Sequence, residues 1–321
     1  VGRHITEHAL AAGHHVTLFN RGQTNADLFP QAEQLTGDRD GGLDALRAGT
    51  WDAVIDVNGY VPRLVKDAAE LLAERVGHYT FISTISVYAD PSQPGLTEDA
   101  PLKTLDDPTV EDITAETYGG LKALCEAAAT EAMAGRVSII RPGLVVGAYD
   151  HTRRFGYWVR RAGQGGEMLA PESPDYPQQV IDARDLAAFT LARTAAADTS
   201  PYSVTGPGFP LSLGHVIQTA ARISGAQPAV IWVDEAFSAQ HGLAEDRSFP
   251  LYMPGAGRHL LRLDVTRAIG AGLRFHPFED TVQAALDWEN TLSIDPPPAF
   301  GLSPVREAEL IAAWRGAAHN T

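Results

Sequence analysis

Two apolar periods take turns along the first half of the chain. Residues 3–12, R-H-I-T-E-H-A-L-A-A, have helical spacing and end at Gly13, a glycine stop. H-H-V-T-L-F-N at 14–20 and W-D-A-V-I-D-V-N at 51–58 read as strands. Between 62 and 76, Leu64, Val65, Ala68, Leu71, Leu72 and Val76 form one stripe of a helix. From Tyr79 a short β-branched run predicts a buried strand that ends in hydroxyls at Ser83, Thr84 and Ser86. A helix is expected from Thr117 to about Ala134, then a strand-like stretch over 136–147. Strands alternating with helices predict an α/β fold. The pattern breaks over 149–179. Helices are expected again at 212–224 (closed by Gly225), 279–292 and 304–315, with a strand at 229–233 and a Pro-rich linker at 295–303.

Composition narrows the class. Hydrophobic residues make up 44% and charged residues 20% of the 321, as in a globular domain. A net charge of −15 opposes binding to the phosphates of nucleic acid. Cys125 is the one cysteine, which excludes an internal disulfide and favours a reducing, cytoplasmic setting. No apolar run reaches the ~18–20 residues of a membrane span, and no basic stretch leads into an apolar core, so neither a membrane partner nor a signal peptide is expected. His4-x-x-Glu7-His8 has the spacing of a zinc-protease helix but no further ligand, and reads as a solvated polar face; no metal is expected.

The candidate chemistry lies between Tyr79 and Lys122. Tyr118 and Lys122 are four residues apart on the expected helix and so share a face. A free tyrosine titrates near pH ~10, and a lysine one turn away is expected to lower that value. Thr84 would hold a substrate oxygen while Tyr118 passes the proton. Taken alone, Tyr118 also reads as a helix-surface tyrosine.

Thr84 with Tyr118-x-x-x-Lys122 resembles the active site of the short-chain dehydrogenase/reductase superfamily, in its extended or atypical branch of NAD-dependent epimerases and dehydratases. The resemblance implies a doubly wound parallel (Rossmann) sheet with a smaller C-terminal substrate lobe. The dinucleotide-binding domain would take residues 1–148 and 180–207, and the lobe 149–179 and 208–321. Gly2 matches the last glycine of the family's G-x-x-G-x-x-G turn; the first strand and the two earlier glycines have no counterpart here. The strands at 14–20 and 51–58 are therefore expected to stand one strand apart, and the chain to be a fragment, longer at its N-terminus by about one strand and a tight turn. Asn20 stands where NAD-binding members carry an acid about twenty residues past the turn, and Arg21 follows, as in members that favour the 2′-phosphate of NADP. L-T-G-D-R-D at 35–40 places Asp38 at the adenine. Val57, Asn58 and Gly59 would line the cofactor. Lys122 would hold its ribose, and the R-P-G-L-V-V-G segment with Pro142 would lie beside the nicotinamide.

The resemblance implies hydride transfer between NADP (or NAD) and a carbonyl or alcohol carbon of a small molecule, and allows a homodimer. Ser86, Arg153, Arg154, Tyr157 and Gln178 are the substrate candidates, with Phe155 and Trp158 beside them; a helix with packed aromatics and solvated arginines reads equally well there. Dehydratases carry Asp-Glu after the threonine, where this chain has Ile85 and Ser86. Sugar epimerases carry a diphosphate-binding arginine where this chain has Gln178, which weighs against a nucleotide sugar. Nucleotide-sugar epimerase, NADP-sensing regulator and RNA-binding relative are the rival readings, the last opposed by the charge.

Overall fold

The computed structural model describes residues 1–293 and 299–318. Its strands are β1 (Thr17–Asn20), β2 (Glu33–Thr36), β3 (Trp51–Asp56), β4 (Val76–Ile82), β5 (Val137–Pro142), β6 (Leu144–Val146), β7 (Gly166–Pro171), β8 (Pro177–Asp182), β9 (Pro201–Val204), β10 (Gly206–Ser212) and β11 (Pro228–Val233). The helices are α1 (Gly2–Ala11), α2 (Pro62–Leu72), α3 (Tyr118–Ala132), α4 (Arg154–Gln164), α5 (Ala183–Ala195), α6 (Leu213–Ser224), α7 (Glu235–Gln240), α8 (Thr266–Gly270), α9 (Phe278–Thr291) and α10 (Pro304–Ala318).

Local chemistry explains the boundaries. Gly13 adopts φ +81°, and the amide of His14 donates to Ala9 O at 3.0 Å, so α1 ends in a glycine-dependent Schellman turn. That turn takes up His14 and His15, and β1 begins only at Thr17. Ser212 caps α6 by accepting from the His215 amide, and Gly225 closes it at φ +67°. Part of the linker expected at 295–303 lies outside the described residues.

The central sheet has the order β3-β4-β5-β9, all parallel. Helices α2 and α3 pack together over a core that includes Val65, Phe81, Cys125 and Ile139, while α1 and α5 pack together on the other face. This is the doubly wound Rossmann arrangement. β1 pairs in parallel with β2, and no ladder joins β1 to β3. The two sheets meet through side chains: the Trp51 indole donates to the Thr17 hydroxyl at 3.0 Å. At the other end, a Cβ on Gly2 would stand 3.4 Å from Val57.

The stretch at 136–147 is two strands. Gly143 lies against Thr205, 2.3 Å from where a Cβ would sit, and there the chain leaves the central sheet. β6 then pairs with β8, which also carries β10 antiparallel. Of residues 180–207, α5 and β9 thus complete the Rossmann layer, and the end of β8 belongs to the smaller sheet. β7 and β11 form a further parallel pair. Helices α4, α6 and α9 pack with these strands around a core rich in aromatics, including Phe155, Tyr157, Trp158 and Phe249.

Candidate active site

β4 and α3 bring the expected pair of elements together at the C-terminal end of the central sheet. Thr84 follows β4 in extended conformation, and its hydroxyl accepts from the Ser86 amide at 3.1 Å, turning the chain into a short 3-10 segment. The Ser86 hydroxyl lies 3.2 Å from the same oxygen. Two glycines let α3 approach this corner. A Cβ at Gly119 would stand 2.2 Å from Ser86 O, and one at Gly120 would stand 2.6 Å from the Leu105 side chain. Tyr118, directly before them, is half-buried beside Tyr60, with ring centroids 6.3 Å apart.

The electrostatics reverse one expectation. The Tyr118 phenol is pushed above its usual value, because burial disfavours phenolate more than the nearby Thr84 hydroxyl and the charge of Arg154 favour it. Lys122 does not deliver the expected lowering. It is 3% exposed and its ammonium donates to Gly59 O at 2.6 Å and Ile82 O at 2.7 Å. Burial pushes it down to about 8, against the charges of Asp56 and Glu126, which hold it up. Two of its three N–H groups are engaged by these carbonyls, and its Nζ stands 4.2 Å from the Phe81 ring centroid.

The rim expected to face the cofactor runs from α1 to β3. Asn20 is exposed and accepts from the Gly22 amide at 2.7 Å, an Asx turn. Arg21 is exposed, with no ion-pair partner among the described residues. Asp38 is exposed and accepts from the Asp40 amide at 3.0 Å. Val57 and Asn58 are exposed where β3 ends, and Gly59 is buried. A Cβ on Gly59 would stand 2.5 Å from Phe81, so a glycine is needed for the close approach that offers its carbonyl to Lys122. Pro142 ends β5, paired with Val204.

Beneath the rim are residues that the sequence reading passed over. Asp56 receives both Arg39 guanidinium nitrogens, at 2.7 and 2.5 Å, and the Tyr79 hydroxyl at 2.6 Å. These partners hold its carboxyl below the usual range although it is buried. Glu126, one turn beyond Lys122, is clamped by Arg141 at 2.7 and 3.0 Å and accepts from the Ser83 hydroxyl at 2.5 Å. The signal for both pairs is the same: a charge within an otherwise apolar run must be paired if it is buried.

The substrate candidates divide. Arg153, which starts α4 at φ +55°, is committed to Glu289 at 2.6 Å. Arg160 meets the same carboxylate at 3.3 Å, and Arg161 meets Glu307 at 2.8 Å. Glu289 and Glu307 are buried, so these arginines are held in ion pairs rather than solvated. Arg154 has its Nε on the Thr152 hydroxyl at 3.1 Å, and its charge acts on the Tyr118 phenol. Tyr157 and Phe155 are core residues of the lobe, as is Trp158, whose indole donates to Pro250 O at 2.6 Å; none of these side chains is more than 2% exposed. Tyr157 is packed inside the lobe. Gln178 is 3% exposed, and its Oε1 has no partner among the described residues. The helix motif at the N-terminus is internal: His4 Nδ1 meets Glu7 at 2.8 Å and His8 Nδ1 meets His4 O at 2.9 Å. No cluster of metal-binding side chains occurs among the described residues.

No family model and no curated protein matches the sequence. Solved structures do. The UDP-Glc/GlcNAc 4-epimerase of Campylobacter jejuni superposes with a TM-score of 0.68 at 17% identity, covering 91% of this chain and 96% of that one. A UDP-glucuronic acid 4-epimerase from Bacillus cereus, solved in complex with NAD, gives 0.64 at 15%, covering 91% and 95%. A nucleoside-diphosphate-sugar epimerase from Pseudomonas aeruginosa gives 0.63 at 19%, covering 94% and 95%. The chain shares its fold with these epimerases. No described helix is long and apolar enough to cross a membrane.

Proposed function

We propose that this chain is a nicotinamide-dependent oxidoreductase acting on a carbonyl or alcohol carbon of a small molecule. The observation that carries the reading is the convergence of Thr84, Tyr118 and Lys122 at the C-terminal end of the central sheet, where open α/β sheets bind ligands. The residues present fit the ribose and nicotinamide end of a dinucleotide. One Lys122 N–H remains for a ribose hydroxyl, and exposed Val57 and Asn58 form an open edge beside buried Gly59. Bound there, the nicotinamide supplies or accepts the hydride.

Tyr118 has the role of acid in this site. Its raised pKa keeps the phenol protonated at neutral pH, so it is poised to donate to a carbonyl oxygen being reduced. Thr84 holds that oxygen in place, and Ser86, on the same corner, offers a second hydroxyl. Arg154 supports any negative charge that develops on the phenol. Exposed Arg21, with no acid at Asn20, favours the 2′-phosphate of NADP over the free hydroxyl of NAD. Asp38 is assigned to the adenine and Pro142 to the nicotinamide side by the resemblance.

Nucleotide-sugar epimerisation is the second reading, supported by the fold shared with the epimerases. Gln178 weighs against it, because a buried neutral amide does not replace a guanidinium facing a diphosphate. The test is a panel of carbonyl compounds and UDP-sugars, with NADPH and NADH followed by absorbance. Oxidation of either cofactor by a carbonyl compound, lost in Tyr118→Phe, is the expected result. Epimerisation of a UDP-sugar without net oxidation of the added cofactor would favour the second reading.

A further inference from the structure

A buried polar network lies directly behind the candidate site. Glu126 and Arg141 are each about 5% exposed and joined by two hydrogen bonds. Arg141 also donates to Glu98 O at 3.1 Å, and the Glu98 carboxylate accepts from the Ser203 amide at 2.8 Å. Tyr88 completes the ring with a 2.5 Å contact to the Ser203 hydroxyl. The network thus ties β5, β9 and the segment after β4 to α3.

A buried ion pair is weak evidence for stability, since desolvation offsets its attraction. This pair has a second feature. The remaining lone pair of Glu126 Oε1 is used by Ser83, the residue before Thr84. One turn earlier on the same helix, Lys122 reaches the carbonyl of Ile82, the residue before Ser83. The same short strand end is therefore gripped twice by α3, once by an ammonium and once by a carboxylate. We propose that Glu126 is a positioning residue, locked by Arg141, that sets the Ser83–Thr84 corner against the α3 turn bearing Tyr118 and Lys122. This rests on the reading of those three residues as the site.

Charge adds to geometry. Lys122 feels Asp56, backed by Arg39 and Tyr79, from the sheet side; Cys125 and Glu126 from its own helix; and the ring of Tyr60. Glu126 is one of the groups that keep the ammonium charged. Replacing it with a neutral residue should release Lys122's proton at lower pH and move Thr84 away from Tyr118.

The chain has three lysines, Lys66, Lys103 and Lys122, so selective carbon labelling at Cε gives three NMR signals, assigned with Lys66→Arg and Lys103→Arg. The test measures the Lys122 titration, the melting temperature and NADPH affinity in the parent, in Glu126→Gln and in Glu126→Met/Arg141→Met. Glu126→Gln leaves Arg141 unpaired and is expected to melt early. The double variant removes both charges and should recover the melting temperature. Both variants should titrate Lys122 at lower pH than the parent and, at pH 8, bind NADPH about fivefold more weakly, the loss of charged ammonium that a drop of about one pKa unit from about 8 brings. If the double variant recovers the parental Lys122 midpoint and affinity along with stability, Glu126 is only a structural residue and the proposal falls. If the parent binds neither NADPH nor NADH while Lys122 still responds to Glu126, the cofactor reading fails and the electrostatic link survives.

Discussion

At the Tyr118 end of the candidate site, Lys122 is fixed by two backbone carbonyls, and behind it lie two ion pairs, Glu126–Arg141 and Asp56–Arg39. At the Asn20 end, Asn20 and Asp38 bond within their own turns, and Arg21 faces solvent. The first end can hold atoms to a fraction of an ångström, as proton transfer requires. The second carries little of the fold, so the side chains proposed to select a cofactor can vary there at small cost in stability. On the proposed reading, the residues for chemistry stand at the central sheet and those for cofactor choice at the separate β1-β2 pair.

The sharpest way to break this comparison is Tyr118→Phe. Loss of the acid should lower turnover by about 10²–10⁴-fold, while NADPH affinity and melting temperature stay near parental values. Turnover unchanged on any substrate found would remove Tyr118 from the chemistry.

Next in size are the ion pairs behind Lys122. Asp56→Ala strands Arg39 and the Tyr79 hydroxyl, and breaking such a pair from one side costs about 3–5 kcal/mol, measured by urea unfolding at pH 7. The Asp56 carboxyl is held below its usual value by these partners. Its contribution is therefore complete above the unfolded carboxylate pKa of about 3.9 and drains away as pH falls through the lower folded value. The gap between parent and variant should narrow on acidification; a gap that is flat down to pH 2 would contradict the assignment.

The exposed rim gives a smaller effect of another kind. A charge-assisted contact to phosphate contributes roughly 1.5–3 kcal/mol. Arg21→Ala should therefore weaken NADPH binding by calorimetry about ten- to hundredfold, leave NADH unchanged, and alter stability by no more than about 0.5 kcal/mol. Equal affinity of the parent for both cofactors would end the argument for NADP. The smallest effect concerns Arg154, whose charge draws the Tyr118 pKa down against burial. Arg154→Gln should move the alkaline limb of the pH–rate profile further up. A downward move would place the arginine elsewhere.

Much of this molecule was written in local sequence. The Gly13 and Gly225 stops, the strand ending at Ser83 and Thr84, and Tyr118 and Lys122 on one helix all follow from periodicity and turn chemistry within a few residues. Partner choice did not follow from it. Arg153 pairs with Glu289 across 136 positions, and Arg39 reaches Asp56 across 17. With 25 basic and 40 acidic residues in the chain, nothing local says which acid each cation meets. Four arginines at and within α4 look alike in sequence, yet buried Glu289 and Glu307 tie down three of them, while the charge of Arg154 acts on Tyr118. The direction of the Tyr118 shift was decided in the same way. The i,i+4 spacing put Lys122 on its face, but tertiary packing turned the ammonium to Gly59 and Ile82, and desolvation then raised the phenol. Sequence period fixes which face a side chain leaves from. Only the packed sheet and helices set how much water it loses and which charge stands opposite, and those two quantities determine its chemistry.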